Sequence, residues 1–489
     1  ESAVMSALAD KRLSTFENAV AIKTTDNGRK IEFGKLGVSR ENITAQLMWS
    51  PMEDGTFRLA WQVYFIPTTT PDYWMLRVDA VNNRIIGTDN LTVSCNWDDP
   101  NHIYQFGVNH NHVAEATKTG TNLNFDFKTI SNLTQSLNGP TTVANASYRV
   151  VPLPYEAPTF MPGAYPGTAP GNSTVVNNPW TAASANATTL NWHSTDAATD
   201  FNYTRGNNNW AYFDIPNTNT PDAVRASTST TPLPTLTFIY GNAPDYNVDP
   251  VTNTDNQKFN VTNLFYYNNI IHDVLYAYGF DEPGGNFQSN NLGRGGNGND
   301  HVFAEAQDAG GTNNANFATP ADGQNPRMQM YIWTQTAIRR DGDVDNGIIA
   351  HEFGHGVSNR LFGGPLNVGC VSNGESQGEG ISDYIALMLT QLWATSNTNS
   401  GLIGRGIGTY ALGQATTGIG IRSQRYSTDM AINNLVYQAS LPTQVHARGE
   451  YWATVAWEAT WAIIQQAGTI NPDIYFNANC NTGHEISTM

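Results

Sequence analysis

The stretch 351–355, with the sequence HEFGH, constrains the local fold more than any other part of the chain. It lies in the segment from Gly347 to Phe362, whose composition predicts a helix. Residues four apart lie on the same face of a helix. His351 and His355 can therefore hold one metal ion, and Glu352 can reach a water molecule bound to that ion. The alternative is an ordinary amphipathic helix that carries two histidines by chance.

A third metal ligand is available in the next predicted helix, Gly378 to Ala394. A catalytic zinc ion needs three protein ligands and one position open to water. Glu379 supplies a carboxylate, and Asp383, about one turn later, can accept a hydrogen bond from the second ring nitrogen of a ligand histidine. The apolar residues that bury one face of this helix are Ile381, Ile385, Met388, Leu389 and Leu392. The alternative for Glu379 and Asp383 is a pair of acids favoured at a helix N-terminus by the macrodipole.

The order of predicted elements indicates an α+β protein of more than one unit, as expected for 489 residues. The predicted units are 1–95, a small α+β module with a helix from Ser2 to Phe16; 96–147, a linker; 148–350, a strand-rich part with one helix from Val261 to Tyr278; and 351–489, a helical part. The HEFGH helix lies between the strand-rich and helical parts. We therefore expect an active-site cleft at their junction.

Charge and hydropathy argue against two classes of partner. The formal net charge is −17, from 42 acidic and 25 basic residues, whereas binding to a phosphate backbone requires a basic face. No uninterrupted apolar run approaches the roughly 18 residues of a membrane-spanning helix. We therefore expect neither nucleic acid nor a membrane as a partner.

Several stretches resemble the fungalysin family of secreted zinc metalloendopeptidases, which are thermolysin-like gluzincins. The matching stretches include 268–273 (NNIIHD), 285–288 (GNFQ), 313–320 (NNANFATP), 326–330 (PRMQM) and 351–361 (HEFGHGVSNRL). The resemblance implies a two-lobed catalytic domain, with a β-rich N-terminal lobe, a helical C-terminal lobe and zinc in the cleft between them. It also implies a secreted, extracellular enzyme that hydrolyses internal bonds of protein and peptide substrates.

The resemblance assigns chemical roles to the residues of the motif. His351, His355 and Glu379 would hold one Zn²⁺ ion, which lowers the pKa of its bound water. Glu352 would act as the general base that takes the proton of the zinc-activated water and later passes it to the leaving amine. Asp383 would orient a ligand histidine.

Other residues are candidates for contacts with the substrate. His446, in the stretch HARGEYW, matches the family's H-x-x-G-E-x-W and is expected to stabilise the tetrahedral oxyanion; the alternative is a histidine in a surface loop. Thermolysin-like enzymes use a tyrosine between the second histidine and the glutamate ligand as a second donor, and none lies between His355 and Glu379. Tyr426, in the stretch RSQRYST, matches a segment of the family and is the candidate that would replace it; the alternative is a packed tyrosine. Asn314 and Ala315 are expected to hydrogen-bond an extended substrate strand, and the alternative is an Asn-rich turn.

Calcium is possible but unsupported by the sequence. Asp341, Asp343 and Asp345 alternate as in a calcium-binding loop, but Asn346 stands where that loop needs glycine. Capping of the HEFGH helix is therefore the better interpretation of these acids. Three further acids leave a calcium site elsewhere open, namely Asp300, Glu305 and Asp308.

The N-terminal part resembles the family's pro-region in the stretches 47–49, 59–61 and 78–80. Fungalysins are made as zymogens, so the resemblance implies that residues 1 to about 145 are a prosegment and that the mature enzyme begins near Tyr148. A module tethered to a cleft can block it without tight intrinsic affinity, so we expect an intramolecular inhibitor. The family continues with further helices after Glu458, so we expect the helical part to be truncated or unusually short.

Three hypotheses about function follow. The leading one is a secreted zinc metalloendopeptidase in a zymogen-like form. The second is a gluzincin aminopeptidase, although no acidic anchor for a free amine lies near HEFGH. The third is a catalytically silent binding or adhesion protein that keeps the gluzincin fold, against which the presence of Glu352 argues.

Overall fold

A computed structural model of the chain describes residues 1–94 and 143–476, except for residues 16, 53, 54, 197, 372, 373, 437–440, 471 and 473. Within these ranges the chain contains both helices and sheets, which confirms the predicted α+β class. In the same ranges, no helix combines the length and the apolar character needed to cross a bilayer.

The N-terminal module packs one helix, α1 (Ser2–Asp10), against one antiparallel sheet. Its strands, which neighbour one another in chain order, are β1 (Ala21–Thr25), β2 (Lys30–Phe33), β3 (Thr44–Pro51), β4 (Phe57–Phe65), β5 (Trp74–Asp79) and β6 (Ile85–Asn90). Val4 and Leu8 of α1 are fully buried with apolar residues of the sheet. The helix ends short of the predicted Phe16 because Arg12 adopts a left-handed backbone conformation, with φ 57°.

The remaining strands form three further sheets. They are β7 (Thr92–Ser94), β8 (Asn145–Val150), β9 (Thr174–Asn177), β10 (Asn209–Phe213), β11 (Thr235–Phe238), β12 (Val302–Ala306), β13 (Ala315–Ala318), β14 (Arg327–Met330), β15 (Ile332–Trp333) and β16 (Arg340–Asp341). One sheet has the order β10-β12-β14-β13-β7, another β11-β8-β9, and β15 pairs with β16. Through β7, the N-terminal module therefore adds a strand to a sheet of the larger part.

Four long helices accompany these sheets. They are α2 (Thr254–Ala277), α3 (Asn346–Phe362), α4 (Gln377–Thr390) and α5 (Val445–Ala467). Helix α2 begins before the predicted Val261, because the Asn253 side chain caps it by accepting a hydrogen bond from the Asn256 amide at 2.9 Å.

One continuous apolar core joins the strand-rich and helical parts. It includes Phe265 of α2, Phe317 of β13, Phe353 of α3 and Trp461 of α5. The boundary predicted between residues 350 and 351 lies inside α3, and the one predicted between 147 and 148 lies inside β8. The strand-rich and helical parts therefore share one hydrophobic core.

Candidate active site

Helix α4 packs closely against both α3 and α5 because glycines lie at the contacts. A Cβ atom on Gly354 of α3 would lie 2.8 Å from the Cα of Ser382 on α4. A Cβ atom on Gly380 of α4 would lie 2.5 Å from the carbonyl oxygen of Gly449 on α5. A larger residue at either position would push two helices apart. These contacts therefore set the separation of the polar side chains that the three helices present to one another.

The HEFGH motif lies on α3, as predicted. Asp345 precedes this helix and its carboxylate accepts a hydrogen bond from the Ile348 amide at 3.3 Å, which is the capping role predicted for it. His351, Glu352 and His355 are all buried.

Potential ligand atoms of three side chains converge between α3 and α4. The Nε2 atom of His351 lies 3.1 Å from Nε2 of His355 and 3.4 Å from Oε2 of Glu379. Nε2 of His355 lies 3.8 Å from Oε1 of Glu379. Atoms bound roughly 2.0–2.2 Å from a tetrahedral zinc ion are separated by about 3.3–3.6 Å. The three side chains therefore have both the spacing and the donor types that a catalytic zinc ion requires.

Asp383 holds the ring of His351 in place. Its Oδ1 atom lies 2.7 Å from Nδ1 of His351, so the Nδ1 proton is engaged and Nε2 is left to face the other ligand atoms. Arg422 donates to the same carboxylate through Nε at 2.6 Å and through a terminal nitrogen at 2.8 Å. Burial alone raises the pKa of Asp383, but Arg422 and His351 hold it below its usual value, so the group is ionised.

Tyr426 also reaches Asp383. Its hydroxyl donates to Oδ2 of Asp383, and the ring is fully buried. A hydroxyl has one proton to give. In this arrangement Tyr426 contacts Asp383, the partner of His351, and its one proton is engaged there.

His446 lies in the first turn of α5 and is buried, which excludes the alternative of a surface loop. Its Nε2 atom lies 3.5 Å from Oε1 of Glu379. Burial lowers the pKa of His446 to about 4, although the Glu379 carboxylate acts in the opposite direction. The imidazole is therefore neutral near pH 7.

Ala315 begins β13, and Asn314 immediately precedes that strand. β13 packs against α3, where a Cβ atom on Gly356 would lie 2.6 Å from the Phe317 ring. The Ala315 amide donates to the Asn314 side-chain oxygen at 2.8 Å. The Asn314 side chain therefore competes for an N–H group that was predicted to bind substrate.

Comparison with known proteins identifies the family. The fungalysin metallopeptidase (M36) profile matches residues 147–488. The chain belongs to the fungalysin family. Extracellular metalloproteinase 2 of Trichophyton rubrum is 38% identical over 338 residues, covering 67% of this chain and 48% of that protein. Extracellular metalloproteinase 3 of Trichophyton tonsurans is 35% identical over 459 residues, covering 92% of this chain and 59% of that protein.

The chain thus spans about half the length of the first of these fungalysin relatives. The longer match exceeds the length of 147–489, so it extends into the part of the chain that precedes the family profile. The predicted resemblance is confirmed.

The acids considered for calcium fall into separate groups. Glu305 and Asp308 lie with Asp214 in a buried cluster whose nearest oxygens are within 4.8 Å of one another. Arg225 pairs with Asp214, and Arg327 pairs with Glu305, so this cluster already has cationic partners. Calcium remains unsupported there. Asp300 lies apart and pairs with Arg360 at 3.0 Å.

Sequence reasoning found the residues of the fungalysin motif but missed two of their partners. Arg422 contacts Asp383, and Gln444 contacts His446. The stretch that begins with Arg422 resembles a segment of the family, but that resemblance points only to its tyrosine. Gln444 carries no signal in the sequence that could have found it.

Proposed function

We propose that the chain is a secreted zinc metalloendopeptidase that hydrolyses internal peptide bonds and is present as a zymogen-like precursor. The observation that carries the proposal is the convergence of His351, His355 and Glu379, with Glu352 buried beside them on α3. The relatives named extracellular metalloproteinase support secretion and peptide substrates. We include in the proposal that residues 148–350 and 351–489 act as thermolysin-like lobes.

The side chains divide the chemistry among them. Zn²⁺, when held by His351, His355 and Glu379, supplies a Lewis acid that polarises water and the scissile carbonyl. Glu352 takes a proton from the attacking water and passes it to the leaving amine. Asp383 keeps the His351 ring in the orientation and tautomer that a ligand needs.

Of two further residues, one contacts the reacting atoms directly and the other acts through Asp383. His446 donates a hydrogen bond to the oxygen that becomes negative in the transition state. Tyr426 takes a positioning role through Asp383, in place of the second donor role predicted from the sequence, because its hydroxyl proton is already engaged.

An extended substrate would add to the edge of β13 that begins at Ala315. In the full chain, β7 pairs antiparallel with that edge, matching Thr92 with Ala318 and Val93 with Phe317. A substrate strand and β7 therefore compete for the same backbone groups. This competition supports the proposal that the N-terminal module is an intramolecular inhibitor.

Polar contacts fasten the N-terminal module beside this sheet. Glu41 pairs with the buried Arg327 of β14. Arg40 donates to the Asn219 side chain at 3.0 Å. Because the module is tethered, these contacts act at high effective concentration. Cleavage between Ser94 and Val143 would leave β8 intact, whereas a mature N-terminus at Tyr148 would cut that strand.

The proposal is tested by measuring zinc content and casein hydrolysis for the wild type and Glu352→Gln, before and after limited proteolysis between residues 94 and 143. We expect stoichiometric zinc in both proteins and a loss of activity of about 10²–10⁴-fold in the variant. A zinc-loaded wild type that stays inert after the module is released would favour the silent binding protein. Cleavage of peptides only at a free amino terminus would favour the aminopeptidase.

A further inference from the structure

Gln444 caps helix α5 and contacts His446 at the same time. Its side-chain oxygen Oε1 accepts a hydrogen bond from the Ala447 amide at 2.5 Å. Its side-chain nitrogen Nε2 lies 2.6 Å from Nδ1 of His446. The side chain is half-buried, and the histidine is buried.

The cap fixes which end of the Gln444 amide faces the histidine. A backbone N–H group can only donate, so the atom that meets the Ala447 amide is the side-chain oxygen. The NH₂ group must then face Nδ1 of His446, and an amide NH₂ group also can only donate. Nδ1 is therefore the acceptor, and the single proton of the neutral ring lies on Nε2. That nitrogen faces Glu379, at 3.5 Å from its Oε1 atom.

The partners of His351 and His446 therefore favour opposite tautomers of the two rings. Asp383 accepts from Nδ1 of His351, so the neutral form of that ring carries no proton on Nε2, as a metal ligand requires. Gln444 donates to Nδ1 of His446, which leaves a proton on Nε2, as a hydrogen-bond donor requires. An acidic residue at 444 would reverse this second arrangement.

We propose that Gln444 is a positioning residue that fixes the Nε2–H tautomer of His446, so that the ring donates a hydrogen bond as a neutral group. The proposal rests on the function proposed above for its catalytic meaning. The charged and titratable groups that act on the ring include Glu379, Arg422, His351, Asp383 and His355. None of them lies on α5. Gln444 is the partner that determines which ring nitrogen carries the proton.

The substitution Gln444→Glu tests this assignment with little change in shape. A glutamate keeps an oxygen for the Ala447 amide, so the helix cap is retained, but its second oxygen accepts where the amide donated. Asn253→Asp is the matched control, because Asn253 caps α2 through the Asn256 amide. It introduces the same change of amide to carboxylate at a helix N-terminus away from the zinc ligands.

Nitrogen-15 NMR of the full, zinc-loaded chain with labelled histidine gives a readout that is independent of activity. The His446→Gln variant identifies the His446 signals by difference. We expect an unprotonated Nδ1 and a protonated Nε2 in the wild type and in Asn253→Asp, and a protonated Nδ1 in Gln444→Glu. A protonated Nδ1 in the wild type would overturn the proposal.

Kinetics on an amino-blocked peptide, after limited proteolysis between residues 94 and 143, test the consequence. In Gln444→Glu, Nε2 keeps a proton only while the ring is an imidazolium, so kcat should fall with rising pH relative to the wild type. We expect a loss of about 10-fold or more at alkaline pH with little change in KM, because the oxyanion forms only in the transition state. Parallel pH profiles for the two proteins would refute a positioning role. If the wild type hydrolyses no peptide, the proposed function fails, while the NMR result still decides the tautomer.

Discussion

Asp383 is the residue whose change tests the architecture of the proposed zinc site most directly. Its buried carboxylate accepts hydrogen bonds from the side chains of His351, Arg422 and Tyr426. The substitution Asp383→Asn keeps the shape but replaces one acceptor atom by a donor. At least one of the three donors must then face another donor in a site that water does not reach.

Two effects of Asp383→Asn lower zinc affinity. The His351 ring loses the carboxylate that holds it, and loss of such a partner typically costs about 10–100-fold in metal affinity, or about 1.4–2.8 kcal/mol. Arg422 loses its main counter-charge and lies 3.7 Å from Oε2 of Glu379, so it is drawn toward this proposed zinc ligand. Removing one partner of a buried ion pair also destabilises the fold, by about 3–5 kcal/mol.

Competition with a chromophoric chelator measures zinc affinity, and thermal unfolding of the same samples measures stability. Asp79→Asn in the N-terminal module is the matched control, since Asp79 is a buried acid paired with Arg58 at 3.1 Å. We expect the control to lose some stability and to keep its zinc affinity. An Asp383→Asn variant that binds zinc within about threefold of the wild type would refute the reasoning, because that is a loss of less than about 0.7 kcal/mol.

Three further predictions follow from the packing of the chain. Val93→Pro disturbs the pairing of β7 with β13, and we expect higher hydrolysis of a small peptide by the uncleaved chain; unchanged latency would argue against inhibition by β7. Gly380→Ala forces α4 away from Gly449, and we expect a loss of about 1–3 kcal/mol in urea unfolding together with lower activity. Burial, reinforced by the neighbouring Asp341, raises the pKa of Asp343, so the folded state keeps a proton that the unfolded state has released. The contribution of this group to the free energy of unfolding therefore falls as pH rises above about 4, because the folded state must then hold or lose this proton at a cost. We expect Asp343→Asn to be more stable than the wild type by about 1–3 kcal/mol at pH 8 but not at pH 4. Equal stability of the two proteins at both pH values would contradict this assignment.

Apolar residues at helical spacing correctly predict helix α4, but they do not mark its buried face. Of the five apolar residues assigned to that face, only Leu389 is buried, and the other four are half-buried. The buried side chains of α4 include the polar Glu379 and Asp383. The start of α2 differs from the prediction for a related reason. Asn256 lies in an asparagine-rich stretch typical of loops, yet it is buried and exchanges two hydrogen bonds of 2.8 Å with the backbone of Asp245. A hydropathy pattern cannot indicate that a polar side chain is buried when its hydrogen-bond partner is the backbone of another segment.

The residues of the candidate site also differ in whether a helical pattern predicts them. His351 and His355 follow from helical geometry, which relates residues close in sequence, and Glu379 and Asp383 from their place in the next predicted helix. The partners of Asp383 and His446 come from segments without a helical period. Arg422 lies in an irregular stretch, and Gln444 is a helix cap. Tyr426 can be found by resemblance, but its role cannot, because that role depends on whether its hydroxyl donates to a substrate or to Asp383. Motif spacing can therefore bring candidate metal ligands to attention, whereas the direction of each proton depends on contacts that only the folded chain brings together.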